Sequence, residues 1–200
     1  MTSLNESDLD PDPFAQFARW FDEAKAAVKE LPECMMLATS SHEGEVSVRA
    51  VLLKSFDERG FVFFTNYNSR KSAQMHDNPR AALAFWWPPL ERQVRIEGAV
   101  VRTTEEESDE YFATRPRGSQ LGAWTSAQSE ILASREQFDE EYAATEARFE
   151  GQPVPRPPFW GGFLIDPSRI EFWYGRTDRL HDRILYVREG AYWRVERLYP

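Results

Sequence analysis

At 200 residues the chain corresponds to one core, or one domain with helical decoration, and not to a two-domain enzyme. Apolar residues are 42% and aromatics 14%, enough to bury a large core and to exclude wholesale disorder. With 24 basic and 33 acidic side chains, the net charge of −9 argues against a general nucleic-acid binder, which needs a basic face to neutralise phosphates.

Residues 1–11 are polar and acidic and read as a flexible N-terminal arm, followed by a single domain over residues 12–200. Asp12 and Pro13 are an N-cap and a first helical proline. Phe14, Phe17, Trp20, Phe21, Ala24 and Val28 then recur at helical spacing, ending near Pro32. From Cys34 the period drops to two. Strands are expected over residues 34–39, 46–53, 60–65, 80–87 and 92–102, with a short helix over residues 69–77 stopped by Asn78-Pro79. Thr104 with Glu107, and Ser134 with Gln137, have the spacing of capping boxes and start two more helices, the second carrying Phe138, Tyr142 and Phe149 on one side. After the proline-rich connector 153–158, closing strands are expected over residues 162–165, 169–174, 181–188 and 191–197. The class is therefore mainly β: an antiparallel sheet or barrel with peripheral helices.

Cys34 is the only cysteine, so no intramolecular disulfide and no cysteine-based zinc site can form, and His42, His76 and His181 lack metal-ligand spacing. The longest apolar run, residues 81–87, is too short to span a bilayer, and no signal pattern opens the chain. A soluble cytoplasmic protein that binds neither membrane nor nucleic acid is expected.

Charge is segregated. Residues 104–150 hold 4 basic and 12 acidic side chains (−8), mostly on helices, whereas residues 49–80 hold 6 and 3 (+3) and residues 151–200 hold 8 and 6 (+2), mostly on strands. Arg179, His181 and Arg183 alternate, so one strand face would carry all three; an anion resolves their repulsion, and a charge-protected sheet edge is the alternative. Arg70 and Lys71 fall in a first helical turn, where the macrodipole disfavours cations unless a phosphate binds there; two solvated cations are the alternative. Arg49 and Lys54, five apart, point to opposite strand faces and serve different groups. Arg115, Arg117 and Ser119 follow Tyr111 at a helix end, where Gly118 suggests a turn; cations there also suit the dipole. Neither a glycine-rich phosphate loop nor a G-x-S-x-G nucleophile is present, so phosphates would be gripped by side chains.

The segments Arg-Ala-Val-Leu-Leu-Lys (49–54), Phe-Thr-Asn (64–66), Ser-Arg-Lys (69–71), Glu-Arg-Gln-Val (91–94), Arg-Pro-Arg-Gly-Ser-Gln (115–120), Gln-Ser (128–129), Phe-Trp-Gly-Gly (159–162), Ile-Glu-Phe-Trp (170–173) and Arg-Leu-His-Asp-Arg (179–183) resemble, in order, the pyridoxamine 5′-phosphate oxidase family. The resemblance implies an FMN-binding split β-barrel working as a homodimer with FMN at the interface. It implies FMN contacts from Arg49, Ala50, Val51, Leu52, Leu53, Lys54, Phe64, Thr65, Arg70 and Lys71, with Gln93, Gln128, Ser129, Trp173 and Arg183 completing the site, several from the second chain. Lys54, Tyr111, Arg115 and Ser119 would hold the substrate phosphate, and Arg179 and His181 would position the pyridine ring as the catalytic pair. Trp173 would also suit a barrel core. The implied reaction is oxidation of pyridoxamine or pyridoxine 5′-phosphate by O2 to pyridoxal 5′-phosphate and hydrogen peroxide. Related enzymes often carry a basic, tyrosine-containing arm, which Met1 to Asp10 lacks. Two other readings are an FMN oxidase of this fold acting on another substrate, as in phenazine pathways, and a non-catalytic flavin or pyridoxal-phosphate carrier.

Overall fold

In the computed structural model, which describes residues 3–200, the first helix, α1 (Pro13–Ala27), starts where the Asp12 carboxylate accepts the Phe14 N–H at 3.0 Å. Its aromatic stripe is buried, Phe17 completely, against Phe56, Phe61 and Phe85, with ring centroids 4.8–5.2 Å apart. The helix stops at Ala27, short of Pro32, because Val28 is already extended.

Among the described residues, nine strands form one antiparallel sheet: β1 (Cys34–Ser40), β2 (Val46–Leu52), β3 (Ser55–Asp57), β4 (Gly60–Asn66), β5 (Arg80–Trp87), β6 (Arg92–Arg102), β7 (Trp160–Tyr174), β8 (Asp182–Glu189) and β9 (Tyr192–Arg197). The order is β2-β1-β5-β6-β7-β4-β3. The first half of β7 pairs with β4, and its second half with β8, which pairs with β9. The sheet thus divides along β7 and curls into a half-barrel around the α1 stripe. Helices α2 (Arg70–Asp77), α3 (Glu105–Thr114), α4 (Arg117–Thr125) and α5 (Arg135–Arg148) complete the chain. A second apolar cluster, around Phe112, Leu121, Phe149 and Trp160, joins α3 and α4 to the start of β7.

Three expectations are corrected. The separate strands 162–165 and 169–174 are one, β7, because a bulge at Ser168 of β7, opposite the Glu97–Gly98 step of β6, accommodates Pro167, whose missing N–H an unbroken ladder would not tolerate. The turn expected at Gly118 is instead the first turn of α4, and Arg117 leaves the cluster to donate to the Phe149 and Gln152 carbonyls. Thr177–Arg179 is a 3-10 turn with Asp178 and Arg179 at φ 57° and 60°, and β8 begins at Asp182, so Arg179, His181 and Arg183 do not alternate along one strand.

Both expected helix starts hold a cap. Thr104 and Glu107 form a reciprocal box, whereas Ser134 caps α5 alone because the Gln137 amide turns to Glu141. Of the N-terminal arm, Met1 and Thr2 lie outside the described residues. The Leu4 N–H donates to Asp182, Glu6 pairs with Arg197, and the Tyr186 hydroxyl donates to the Asp10 carbonyl. Among the described residues no helix is long and apolar enough to cross a membrane, and no cluster of His, Cys, Asp or Glu could hold a metal ion.

Candidate functional site

Strand β2 and the residues after it, the end of β4, and helices α3 and α4 enclose a cavity of about 680 Å³. Its wall contains Ala50, Val51, Leu52, Lys54, Phe64, Thr65, Lys71, Tyr111, Arg115, Ser119 and Gln128 from the expected site. Three cations line it and, among the described residues, no carboxylate does. In a chain of net charge −9 that is a local reversal of sign. Leu53 does not line the cavity; alternation turns it into the core, 6% exposed.

Lys71 is buried, and its ammonium donates to Thr65 Oγ1 (3.0 Å), Ser69 Oγ (3.0 Å) and Gln128 Oε1 (2.7 Å), all neutral acceptors. Burial and the nearby Arg49 push its pKa down to about 8. Arg49 donates to the Leu37 carbonyl and to Thr39 and Ser47, and burial together with Arg70 lowers its pKa. Ser129 Oγ accepts the Arg70 backbone N–H at 3.1 Å, joining the start of α2 to the segment that carries Gln128. The Arg70 guanidinium is exposed and reaches Glu45 only at 4.0 Å. Arg49, Arg70 and Lys71 therefore form a cationic group that raises its own electrostatic cost, offset only by the exposed Glu45 at 4.0 Å from Arg70.

The second concentration of charge lies against aromatic rings. Phe64, Tyr111 and Trp160 are nearly parallel, with Phe64 4.1 Å from Tyr111 and 5.5 Å from Trp160. The Arg115 guanidinium stacks 4.6 Å over Trp160, and Lys54 Nζ is 6.0 Å from the Tyr111 centroid. Arg115 Nη1 is buried with no hydrogen-bond partner, and burial lowers the pKa of this guanidinium. Trp160, Asn66 and Thr114 also line the cavity. Sequence reasoning missed them as site residues. Trp160 has core spacing, and only its position after the connector, next to two glycines that admit Tyr67 and Thr103 at distances no Cβ would permit, marks it as special.

Gln93, Trp173, Arg179, His181 and Arg183 do not line this cavity. Four of them gather elsewhere. Gln93 pairs with Trp173 across β6 and β7, Trp173 with Arg183 across β7 and β8, and the His181 ring lies 4.5 Å from that of Trp173. Arg183 is held by Glu171 through two hydrogen bonds, at 2.7 and 3.1 Å. The cross-strand row Trp86–Gln93–Trp173–Arg183 shares a sheet face with the rows through Ala84, Met36 and Ala50 and through Ala82, Ala38 and Val48. Met36, Val48 and Trp86 are 43%, 62% and 49% exposed on that face, an apolar stripe running from the Gln93–Trp173–Arg183 group to Ala50 at the cavity wall.

A family profile described as Pyridoxamine 5′-phosphate oxidase matches residues 21–149, and one described as Pyridoxine 5′-phosphate oxidase C-terminal dimerisation region matches residues 160–200. The chain is 62% identical to the pyridoxine/pyridoxamine 5′-phosphate oxidase of Rubrobacter xylanophilus, covering 98% of this chain and 91% of that one. It is 53% identical to the enzyme of that name from Trichormus variabilis, covering 100% and 94%. Among solved structures, PhzG from Burkholderia lata 383 in complex with tetrahydrophenazine-1-carboxylic acid superposes with a TM-score of 0.92 at 31% identity, covering 100% and 99%. A pyridoxamine 5′-phosphate oxidase-related, FMN binding protein from Nostoc punctiforme shares the fold, with a TM-score of 0.73 at 19% identity over 96% and 98% of the two chains. The fold is the split barrel of these proteins, and the chain belongs to the pyridoxamine 5′-phosphate oxidase family.

Proposed function

We propose that this protein is an FMN-dependent oxidase that converts pyridoxamine 5′-phosphate and pyridoxine 5′-phosphate to pyridoxal 5′-phosphate, using O2 and releasing hydrogen peroxide. The observation that carries the reading is the cavity lined by Lys54, Lys71 and Arg115 with no acid among its described lining residues. Lys71 is buried and Arg115 partly so, cations withdrawn from water without counter-charges are costly, and two phosphate groups would supply the missing charge.

The residues fit FMN. Lys71 is buried among neutral acceptors beside two arginines, which suits a phosphate dianion, and Thr65, Gln128 and Ser129 surround it with polar groups. When bound, FMN supplies hydride acceptance and reoxidation by O2. The protein's own part is binding and orientation. Arg115, whose Nη1 has no partner, would grip the substrate phosphate with Lys54, Tyr111 and Ser119, while the Phe64–Tyr111–Trp160 stack keeps water from that side. Arg179 and His181 would align the pyridine ring.

We further propose a homodimer in which the Gln93–Trp173–His181–Arg183 cluster and Arg179 complete the cavity of a second copy. The exposed apolar stripe joining that cluster to Ala50, and the match of residues 160–200 to a dimerisation region, support this.

The test is to purify the protein, identify any released flavin, and follow pyridoxal 5′-phosphate and peroxide from both esters and from unphosphorylated pyridoxamine. FMN in the protein, peroxide equal to aldehyde, and strong preference for the esters are expected. Protein that cannot be reconstituted with FMN overturns the reading, FMN retention without turnover points to a carrier, and preference for an unphosphorylated heterocycle points to phenazine-type chemistry.

A further inference from the structure

Asp182 stands at the foot of the turn that presents Arg179 and His181, and only 9% of it is exposed. Three donors converge on its carboxylate: the Leu4 N–H at 3.1 Å, Arg176 Nη1 at 3.1 Å and Arg197 Nη1 at 3.0 Å. Arg197 also binds Glu6 and the Leu4 carbonyl, so the amino-terminal segment is tied into the same knot. Arg176 acts twice, since its backbone N–H donates to His181 Nδ1 at 3.1 Å while its guanidinium holds Asp182. Residues 176–182 are closed into a ring by those two bonds. Inside it, Asp178 and Arg179 occupy left-handed conformations that non-glycine residues seldom adopt, and surrounding contacts keep them there.

The ring has a chemical consequence. A His181 whose Nδ1 accepts a backbone N–H carries its proton on Nε2, and the Trp173 ring 4.5 Å away limits rotation, so the imidazole offers one directed donor. We propose that Asp182 is the positioning residue for this pair: through Arg176 it fixes the His181 tautomer and the Arg179 backbone, with the Leu4 amide and Arg197 as its anchors. The kinetic part rests on the oxidase reading above; the tautomer part does not.

The experiment uses the full-length, FMN-loaded protein and the variants Asp182→Asn and Arg176→Leu. The second keeps the backbone donor and alters a side chain that is 37% exposed, so it does not depend on the folding of the first. Nitrogen-15 NMR of the three histidines, with His181 assigned through His181→Gln, should show a single Nε2–H tautomer in the parent and a mixture in both variants. For pyridoxamine 5′-phosphate, kcat/KM should fall about tenfold or more with flavin content unchanged. Added to a chain that already carries both Arg179→Ala and His181→Gln, the same substitutions should cost no more than about twofold, because the two groups they act through are gone. A fixed tautomer in both variants, a parent in the other tautomer, or equal losses in both backgrounds overturns the proposal. If the parent oxidises neither ester, the oxidase reading fails and the NMR result alone decides this one.

Discussion

Lys71 holds an ammonium group in a buried site whose other strong charges are also positive, and that sets two opposite pH dependences. Its pKa of about 8 lies below the usual lysine value because burial, and then Arg49, penalise the charged form. The unfolded chain therefore binds more protons than the ligand-free fold between about pH 8 and 10.5, and over that window this residue makes ligand-free stability rise with pH. A bound phosphate dianion reverses the preference, since it favours the protonated lysine. Affinity for FMN should accordingly be level between about pH 7, where the phosphate is a dianion, and pH 8, and weaken above it, as followed by quenching of flavin fluorescence. Lys71→Met should lower affinity by about tenfold or more at pH 7 and abolish the decline above pH 8, without lowering the melting temperature of the ligand-free protein. A decline that persists in the variant would assign the titration to another group.

At the scale of elements, β6 and β7 show what a bulge accomplishes. Gly98 faces Pro167 across the ladder, and a Cβ there would sit 2.1 Å from the Asp166 carbonyl oxygen, which is backbone and has little room to yield. Gly98→Ala should therefore destabilise the protein by about 1–3 kcal/mol, measured by denaturant unfolding, because the two strands must part where β7 begins to serve two other strands. The same place limits what one-dimensional reading could find. Alternation located β5 and β6 at their observed ends and capping residues located α1 and α3, since these depend on neighbours in sequence. The strands expected over residues 162–165 and 169–174 are one, and what lets the ladder pass Pro167, Gly98, lies 69 positions away in the chain. Likewise, Arg179, His181 and Arg183 were placed on one strand face because nothing local signals that Asp182 and Arg176 would close a turn there. In the cavity, the residues carried by the 49–54 and 69–71 motifs were legible, whereas Trp160 was not, because its role arises from stacking with Phe64 and Arg115 in three dimensions.

On the scale of the whole molecule, the expected site residues other than the core residue Leu53 fall into two groups: one lines the cavity or adjoins it, and the other comprises Gln93, Trp173 and Arg183 on one sheet face with Arg179 and His181 in the turn that leads into β8. If each site draws one group from each subunit, a defect in either group inactivates a homodimer, yet the two defects can be separated by mixing. In a heterodimer of an Arg115→Ala chain with an Arg179→Ala chain, one site receives both lesions and the other receives none. Random pairing makes half the dimers mixed, each with one intact site, so co-expression of two nearly inactive variants should restore about a quarter of the parent activity. Sites built within one chain cannot complement, because every site then carries a lesion. Recovery near a quarter, abolished by placing Val48→Glu in both chains to charge the exposed stripe, would show that the dimer face and the active site are one structure; no recovery in a stable mixed dimer would place both groups in one subunit.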